Sequence, residues 1–530
     1  MRPLVVRGRR RGASPLLVVA ALAVTAVVLL PLGYLLVRGS NGDAWAIAGR
    51  ASTWQAVGRT ILLAAAVTTA TTLIAVPLAF LVARTDLPGR RVWAFVLALP
   101  LVIPSYVTAL AMIGAFAPGG LVPEALGLRD SPSIHGFLGA FVTLTLATYP
   151  LTYLLALAGL RSADPALEEA SRALGRGPWA TFGRVTLPVL RPWIGSGALL
   201  VTLYVLADFG VVSLMRFTAL TRAIFLQYRS AFDREPAAVL AILLVTVTVV
   251  ALVLEARARG RTQQHRAGPT AAHRPAALGR WRWPALGFVG LVLLAALVLP
   301  VAVLVHWAIR ALDVGMPEGV LSATLGSLGV SAAAAIVTVL AALPVAYLAA
   351  RHRRPWTRVL ERAAYLGGAL PGVVIALSLV FFGTRLATPL YQTLVLLVAA
   401  YLVRFFPQAM AGAHAAIGRL SPRLEEAGRT LGRRPARVFA TVTVPVIAPG
   451  LVAGAALVFL STMKELPATL LLKPTGFETL ATRLWSSTSV SAYGEAAIPA
   501  LLLIAVSAPI VWLLVARPQT AERPGPTDRP

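Results

Sequence analysis

The chain has 530 residues, 58% hydrophobic and 13% charged, with a strongly positive mean hydropathy, a balance that excludes a soluble domain with a water-facing surface. The net charge of +27 does not read as a nucleic-acid footprint, because the basic residues are divided among separate loops with no aromatic interleaving. Zero cysteines exclude disulfides and thiolate-held clusters.

Apolar runs of about 20 residues that do not alternate point to membrane-spanning helices and not to barrel strands. In chain order, Arg7, Arg9, Arg10 and Arg11 precede a first run at 15–37, whose apolar core is too long for a cleaved signal and reads as a retained anchor. Runs at 57–83, 92–117, 137–160, 193–215 and 237–256 follow. An Arg-rich stretch with Gly, Pro and Gln, 257–282, reads as a linker. Six more runs lie at 283–309, 322–350, 359–384, 388–413, 450–472 and 496–516. The expectation is an all-α polytopic membrane protein of about twelve spans in two repeats, 15–256 and 283–516. Segments 1–14, 84–91, 161–192, 257–282, 351–358 with Arg362, 414–449 and 517–530 carry 34 of the 48 basic residues. That bias places them in the cytoplasm, including the N-terminal segment and the tail, 517–530.

The two halves are copies. An offset of 257 maps LEEASRALGRGPWATFGRVTLP, from Leu167, onto LEEAGRTLGRRPARVFATVTVP, from Leu424, and also maps Pro150 onto Pro407, Pro192 onto Pro449 and Asp208 onto Glu465. Upstream an offset of 267 matches Pro77 with Pro344 and Pro104 with Pro371. The difference falls around PGGLVPEALGLRDSPSIHG, which only the first half has. An even number of spans per half means that both halves enter from the same side.

Each duplicated island, within 161–192 and 414–449, opens with a helix-start signal, Asp164-Pro165 or Ser421-Pro422. Glu168 and Glu169, like Glu425 and Glu426, fall in the first turn, where negative charge suits the helix dipole. Leu167, Ala170 and Leu174, like Leu424, Ala427 and Leu431, share one face. Gly175 and Gly432 suit the left-handed position after a helix. A second short helix starts at Pro178 or Pro435 and is expected to stop before Pro188 or Pro445.

Glu169-Ala170-Ser171 with Gly175, Val185, Leu187 and Pro188 resembles the EAA loop of ABC-importer permeases, and Glu426-Ala427-Gly428 with Gly432, Val442, Val444 and Pro445 resembles a second one. The third position is Ser or Gly in place of Ala, and Val444 replaces Leu. The resemblance covers essentially the whole chain. It implies a type I, MetI-like importer fold in a bacterial inner membrane, with each loop docking a coupling helix into one of two cytoplasmic ATPase subunits. An extracellular or periplasmic binding protein is the implied donor. STMKELPATLLLKPTGFETLATRLW, Ser461 to Trp485, and LADFGVVSLM, Leu206 to Met215, resemble fused ferric-iron permeases, with thiamine, polyamine and oxyanion permeases as alternatives.

The only lysines are Lys464 and Lys473, and neither completes a phosphate-cradling loop. No cofactor is expected in this chain, and ATP-Mg is expected on the partner ATPase. Asp208 and Glu465 lie about fifteen residues into their spans, roughly 22 Å from the inner end. Intramembrane acids are functional candidates, and carboxylate oxygen suits a hard cation. Phenols at Tyr106, Tyr149 or Tyr204 are candidates to join that lining. Lys464 beside Glu465 reads alternatively as a structural pair or a gate, and Arg404 as a donor to carbonyls freed near Pro407. The six histidines make no metal-ligand pattern. A passive channel would have no use for two coupling loops, and a membrane enzyme would cluster its acids at one interface.

Overall fold

The computed structural model describes residues 14–40, 42–117, 120–127, 133–230, 234–259, 275–313, 315–352 and 354–516. The Arg-rich N-terminal segment, most of the linker with His265 and His273, and the tail lie outside them. Eleven helices among the described residues are long and apolar enough to cross a bilayer, and a helix pair bent by 100°, Pro355–Ala369 with Gly372–Arg385, fills a twelfth place.

Four expected spans are not straight rods. The run 92–117 divides into helix Arg90–Val96, a 3-10 turn Leu99–Val102 and helix Ser105–Phe116. The run 359–384 divides in the same way at Gly367–Ala369. The residue before a proline is pushed to extended backbone, and Ile103 and Leu370 are extended with ψ of 121° and 134° ahead of Pro104 and Pro371. The runs 193–215 and 450–472 also break. Helix Leu187–Ala207 stops at Asp208, and a short helix Gly210–Leu214 follows. Helix Val444–Met463 stops at Lys464, with Pro467–Leu472 beyond. Amphipathic helices Leu220–Ser230 and Leu480–Ser489 then lead into the last span of each half.

The expected stop before Pro188 and Pro445 does not occur. The backbone widens into π-turns at Phe182–Thr186 and Phe439–Thr443 and runs on as helix. Leu187 N–H reaches back to Phe182 O and Val444 N–H to Phe439 O. A wider turn accommodates a ring that would clash with the carbonyl four residues back. The same device precedes Pro300, at Leu294–Val298.

Packing interleaves the halves. The first helix, Pro15–Arg38, buries Ala21 and Val28 in a core made of second-half residues such as Val345, Leu360 and Val403. Reciprocally, Val289 and Leu293 pack with Leu78, Leu97 and Tyr149 of the first half, and Val303 and Leu304 pack with Tyr106 to Ala115. In hydrocarbon no hydrophobic force pulls helices together, so close approach depends on small residues. Helix Leu394–Arg419 meets helix Val444–Met463 at Gly412 and Gly450, where a Cβ on Gly412 would stand 2.9 Å from Gly450 O. The first half fills the matching contact the other way round: Gly159 receives the Trp193 ring where the second half sets Ala416 against Gly450.

Candidate functional site: the duplicated loops and the broken helices

Helix Pro165–Ala173 begins with Asp164 accepting from Ala166 N–H at 2.9 Å. Its copy, Pro422–Thr430, makes no side-chain cap at Ser421, so that part of the expected start signal is unused. Both helices close as the sequence predicts. Gly175 has φ +78° and Gly432 φ +75°. Gly175 N–H donates to Arg172 O at 2.9 Å and Arg176 N–H to Ser171 O at 3.2 Å; Gly432 and Arg433 repeat the pattern at 3.0 and 3.3 Å. This is the paired closure that a left-handed residue permits after a helix.

The two acids of each island part company. Glu169 and Glu426 are exposed, whereas Glu168 and Glu425 are buried. Glu168 pairs with Arg84 and Arg172, each at 3.3 Å, and accepts from Thr186 Oγ1 at 3.1 Å. Glu425 pairs with Arg351 at 3.3 Å and accepts from Thr443 Oγ1 at 3.0 Å and Tyr347 OH at 3.3 Å. A buried carboxylate therefore ties each surface helix to the C-terminal end of a long span, Ala51–Arg84 or Val320–Arg351. The dipole argument for Glu168 and Glu425 is secondary to this anchor. Sequence reading passed over Arg84, Arg351, Thr186 and Thr443, although both offsets superpose them in pairs.

Anchoring turns the leucine face outward. Leu167, Leu174, Leu424 and Leu431 are exposed, the two at 174 and 431 by 78% each, and Ala170 and Ala427 are exposed beside them. The third position of the motif faces inward: Ser171 Oγ meets Thr181 Oγ1 at 3.1 Å, and a Cβ on Gly428 would meet Val438 at 3.1 Å. A small residue is required there. Pro188 is half-buried and Pro445 exposed, each in the second position of its helix after the π-turn.

The second constellation lies where the helices break. Asp208 is 8% exposed; it accepts from Ser105 Oγ at 2.7 Å and from Val211 N–H at 2.9 Å. Glu465 is 5% exposed; it pairs with Arg404 Nε at 2.8 Å and accepts from Ala468 N–H at 3.2 Å. Each acid thus caps the short helix that follows it and stands at the start of the half-helix Ser105–Phe116 or Gly372–Arg385, where the dipole favours negative charge.

The halves are not equivalent here. Ser105 corresponds to Gly372, and a Cβ at Gly372 would stand 2.6 Å from Glu465 Oε1 and 2.8 Å from an Arg404 nitrogen. Glycine makes room for an ion pair where serine supplies a neutral donor. Lys464 does not pair with its neighbour Glu465. Its Nζ crosses to the first half and donates to Leu101 O at 2.9 Å. Arg404 donates to Leu370 O at 3.4 Å, ahead of Pro371, and not to a carbonyl near Pro407.

The tyrosines divide. Tyr149 is fully buried and donates to Leu97 O at 3.0 Å, a brace within the first half and away from the polar centre. Tyr204 is 38% exposed and lies beside Ser105 and Asp208. Tyr106 is buried, its hydroxyl has no hydrogen-bond partner, and Glu465 and Tyr204 are its electrostatic neighbours. Among the described residues no three His, Asp or Glu side chains come together. His135 meets Ser133 Oγ at 2.9 Å and His414 meets Glu361 at 3.5 Å.

Comparison with known proteins matches residues 75–263 and 342–516 to one family described as binding-protein-dependent transport system inner membrane component. A Haemophilus influenzae protein named Fe(3+)-transport system permease protein FbpB 2 is 34% identical over 467 residues, which is 87% of this chain and 89% of that one. The ferric transport system permease protein FbpB of Actinobacillus pleuropneumoniae is 24% identical over 70% of this chain and 57% of its own length. The sulfate transport system permease protein CysW of a Synechocystis species is 31% identical over 228 residues, 40% of this chain and 82% of the relative.

Proposed function

Because this chain belongs to the family of binding-protein-dependent transport system inner membrane components, as the permease of an ABC importer with two family units in one polypeptide, we propose that its cargo is ferric iron. The observation that carries this is coverage. The ferric relative aligns across both halves, whereas the sulfate relative spans two-fifths of the chain. The segments around Asp208 and Glu465 supply hard oxygen ligands, the donor type that a small, highly charged cation prefers.

In this reading two ATPase subunits carry ATP and Mg, and each receives one of the surface helices through its exposed leucines and alanines. Glu168 and Glu425 hold those helices to the long spans, so that movement of the motor is passed into the membrane. Both termini and both loops face the cytoplasm, supported by the arginine bias. A binding protein delivers cargo to the opposite face. Asp208, Glu465, Lys464, Tyr106 and Tyr204 line the closed centre of the pathway, where alternating access exposes them to one side and then the other.

The test is uptake in cells that carry the chain with its ATPase and binding protein. Labelled ferric iron is expected to accumulate in an ATP-dependent manner, and excess sulfate, thiamine or spermidine is expected not to compete. ATP-dependent uptake of one of those compounds without iron uptake would overturn the assignment of cargo.

A further inference from the structure

We propose that Tyr106, Tyr204, Asp208 and Glu465 form a transient ferric-ion site in the centre of the permease, with the phenol of Tyr106 as the ligand held ready for the metal. The inference rests on the ferric reading above and adds to it the residues that touch the ion.

The argument starts from the hydroxyl of Tyr106. A buried polar group without a partner costs on the order of 1–3 kcal/mol, yet this one is 4% exposed and makes no hydrogen bond. The ring is admitted by Gly210, where a Cβ would stand 2.6 Å from Tyr106 Cβ. Glu465 and Tyr204 are electrostatic neighbours of the hydroxyl, Asp208 is in turn a neighbour of Tyr204, and the helix breaks at Asp208 and Lys464 lie beside the two acids. Asp208 there has only neutral donors in direct contact, Ser105 and backbone N–H groups. Tyr204 is its electrostatic neighbour. Phenolate and carboxylate oxygen together make a donor set for a hard trivalent ion.

The chain supplies a counter-charge of its own at this site. Arg404 pairs with Glu465 at 2.8 Å, so that acid is not left as an uncompensated charge in hydrocarbon. An arriving ferric ion displaces Arg404 from Glu465. A phenol that ligates gives its oxygen lone pair to iron and its proton to water, and iron stays ferric throughout. The displaced guanidinium then opposes the metal. Conduction needs binding strong enough to enter and weak enough to leave, and an arginine beside a hard-oxygen site meets that need.

The test uses the full chain with its ATPase subunits in lipid nanodiscs, with ferric citrate as the probe, alongside uptake in cells. The parental protein is expected to develop a visible phenolate-to-iron charge-transfer band. Tyr106→Phe removes an unpartnered hydroxyl, so the melting temperature is expected to hold, while the band weakens and ferric uptake falls about tenfold or more, the usual cost of losing a metal contact. Tyr106→Phe with Tyr204→Phe is expected to abolish the band. Uptake at the parental rate by Tyr106→Phe would overturn the proposal. So would lost uptake with an intact band, since the ring would then act on conformation. Parental iron uptake with no band would overturn this site while leaving the cargo assignment standing. No iron uptake by the parent would overturn both.

Discussion

Replacing Glu168 and Glu425 by Gln separates anchoring from docking. Each carboxylate is 5% exposed at the side chain, and their partners Arg84 and Arg351 are 5% and 13% exposed. Breaking a buried pair by neutralising one partner costs about 3–5 kcal/mol, most of it from the charge left behind. Gln keeps an acceptor for Thr186 or Thr443, and both arginines stand at helix ends, so the cost falls to the bottom of that range or just below it, about 2–3 kcal/mol per loop. That loss falls on the docking of a short surface helix and not on the membrane core. Backbone amides of 166–176 and 423–433 are then expected to exchange hydrogen roughly 30-fold faster or more, since each 1.4 kcal/mol is a factor of ten. Membrane insertion is expected to be unchanged and ATP-driven uptake to fall. Glu169→Gln and Glu426→Gln, on the exposed face, are expected to shift loop stability by no more than about 0.5 kcal/mol. Unchanged exchange in the Glu168 and Glu425 variants, or equal acceleration in the Glu169 and Glu426 variants, would refute the anchor.

Gly175→Val with Gly432→Val places β-branched residues at φ near +78° and +75°, where a Cβ meets no neighbour within 4 Å. The cost is conformational alone, about 1–2 kcal/mol at each site, and uptake is expected to fall with insertion intact; Asn, which tolerates this backbone, is expected to keep most activity, and equal loss with Val and Asn would defeat the reasoning. Single cysteines at Leu174 and Leu431, both 78% exposed in a chain without natural cysteine, are expected to resist an impermeant thiol reagent outside sealed cells and to react once the membrane is opened. Outside labelling of either would reverse the topology. Ser171 and Gly428 face inward and are unsuited to this test. Asp208→Asn keeps a helix-capping acceptor and breaks no ion pair, so the fold is expected to persist while ferric uptake falls; uptake at the parental rate would free this acid from any part in passage.

The sequence by itself determined the class, the repeat and the surface loops. Each is written in signals of short range: apolar length, arginine bias, prolines at equal offsets and a glycine after each island helix. Backbone groups in hydrocarbon must bond within their own segment, so helix was legible run by run. The breaks at Pro104 and Pro371 fall inside runs that read as continuous spans, although the prolines that mark them superpose in the two halves. The continuation through Pro188 and Pro445 was illegible, because widening by one residue to a π-turn leaves no residue-type signature.

Tertiary structure alone decided the partners. Lys464 binds a carbonyl 363 residues away in the other half, and Glu465 takes Arg404 in place of its adjacent lysine because Gly372 leaves the space. Glu168 is an anchor and Glu169 an outward face, although the motif presents them side by side. The first helix of each half packs on the other half for a similar reason. An apolar helix carries no address in hydropathy, and in hydrocarbon the fit of small and large side chains chooses its neighbour. That fit exists only once all the helices are in place.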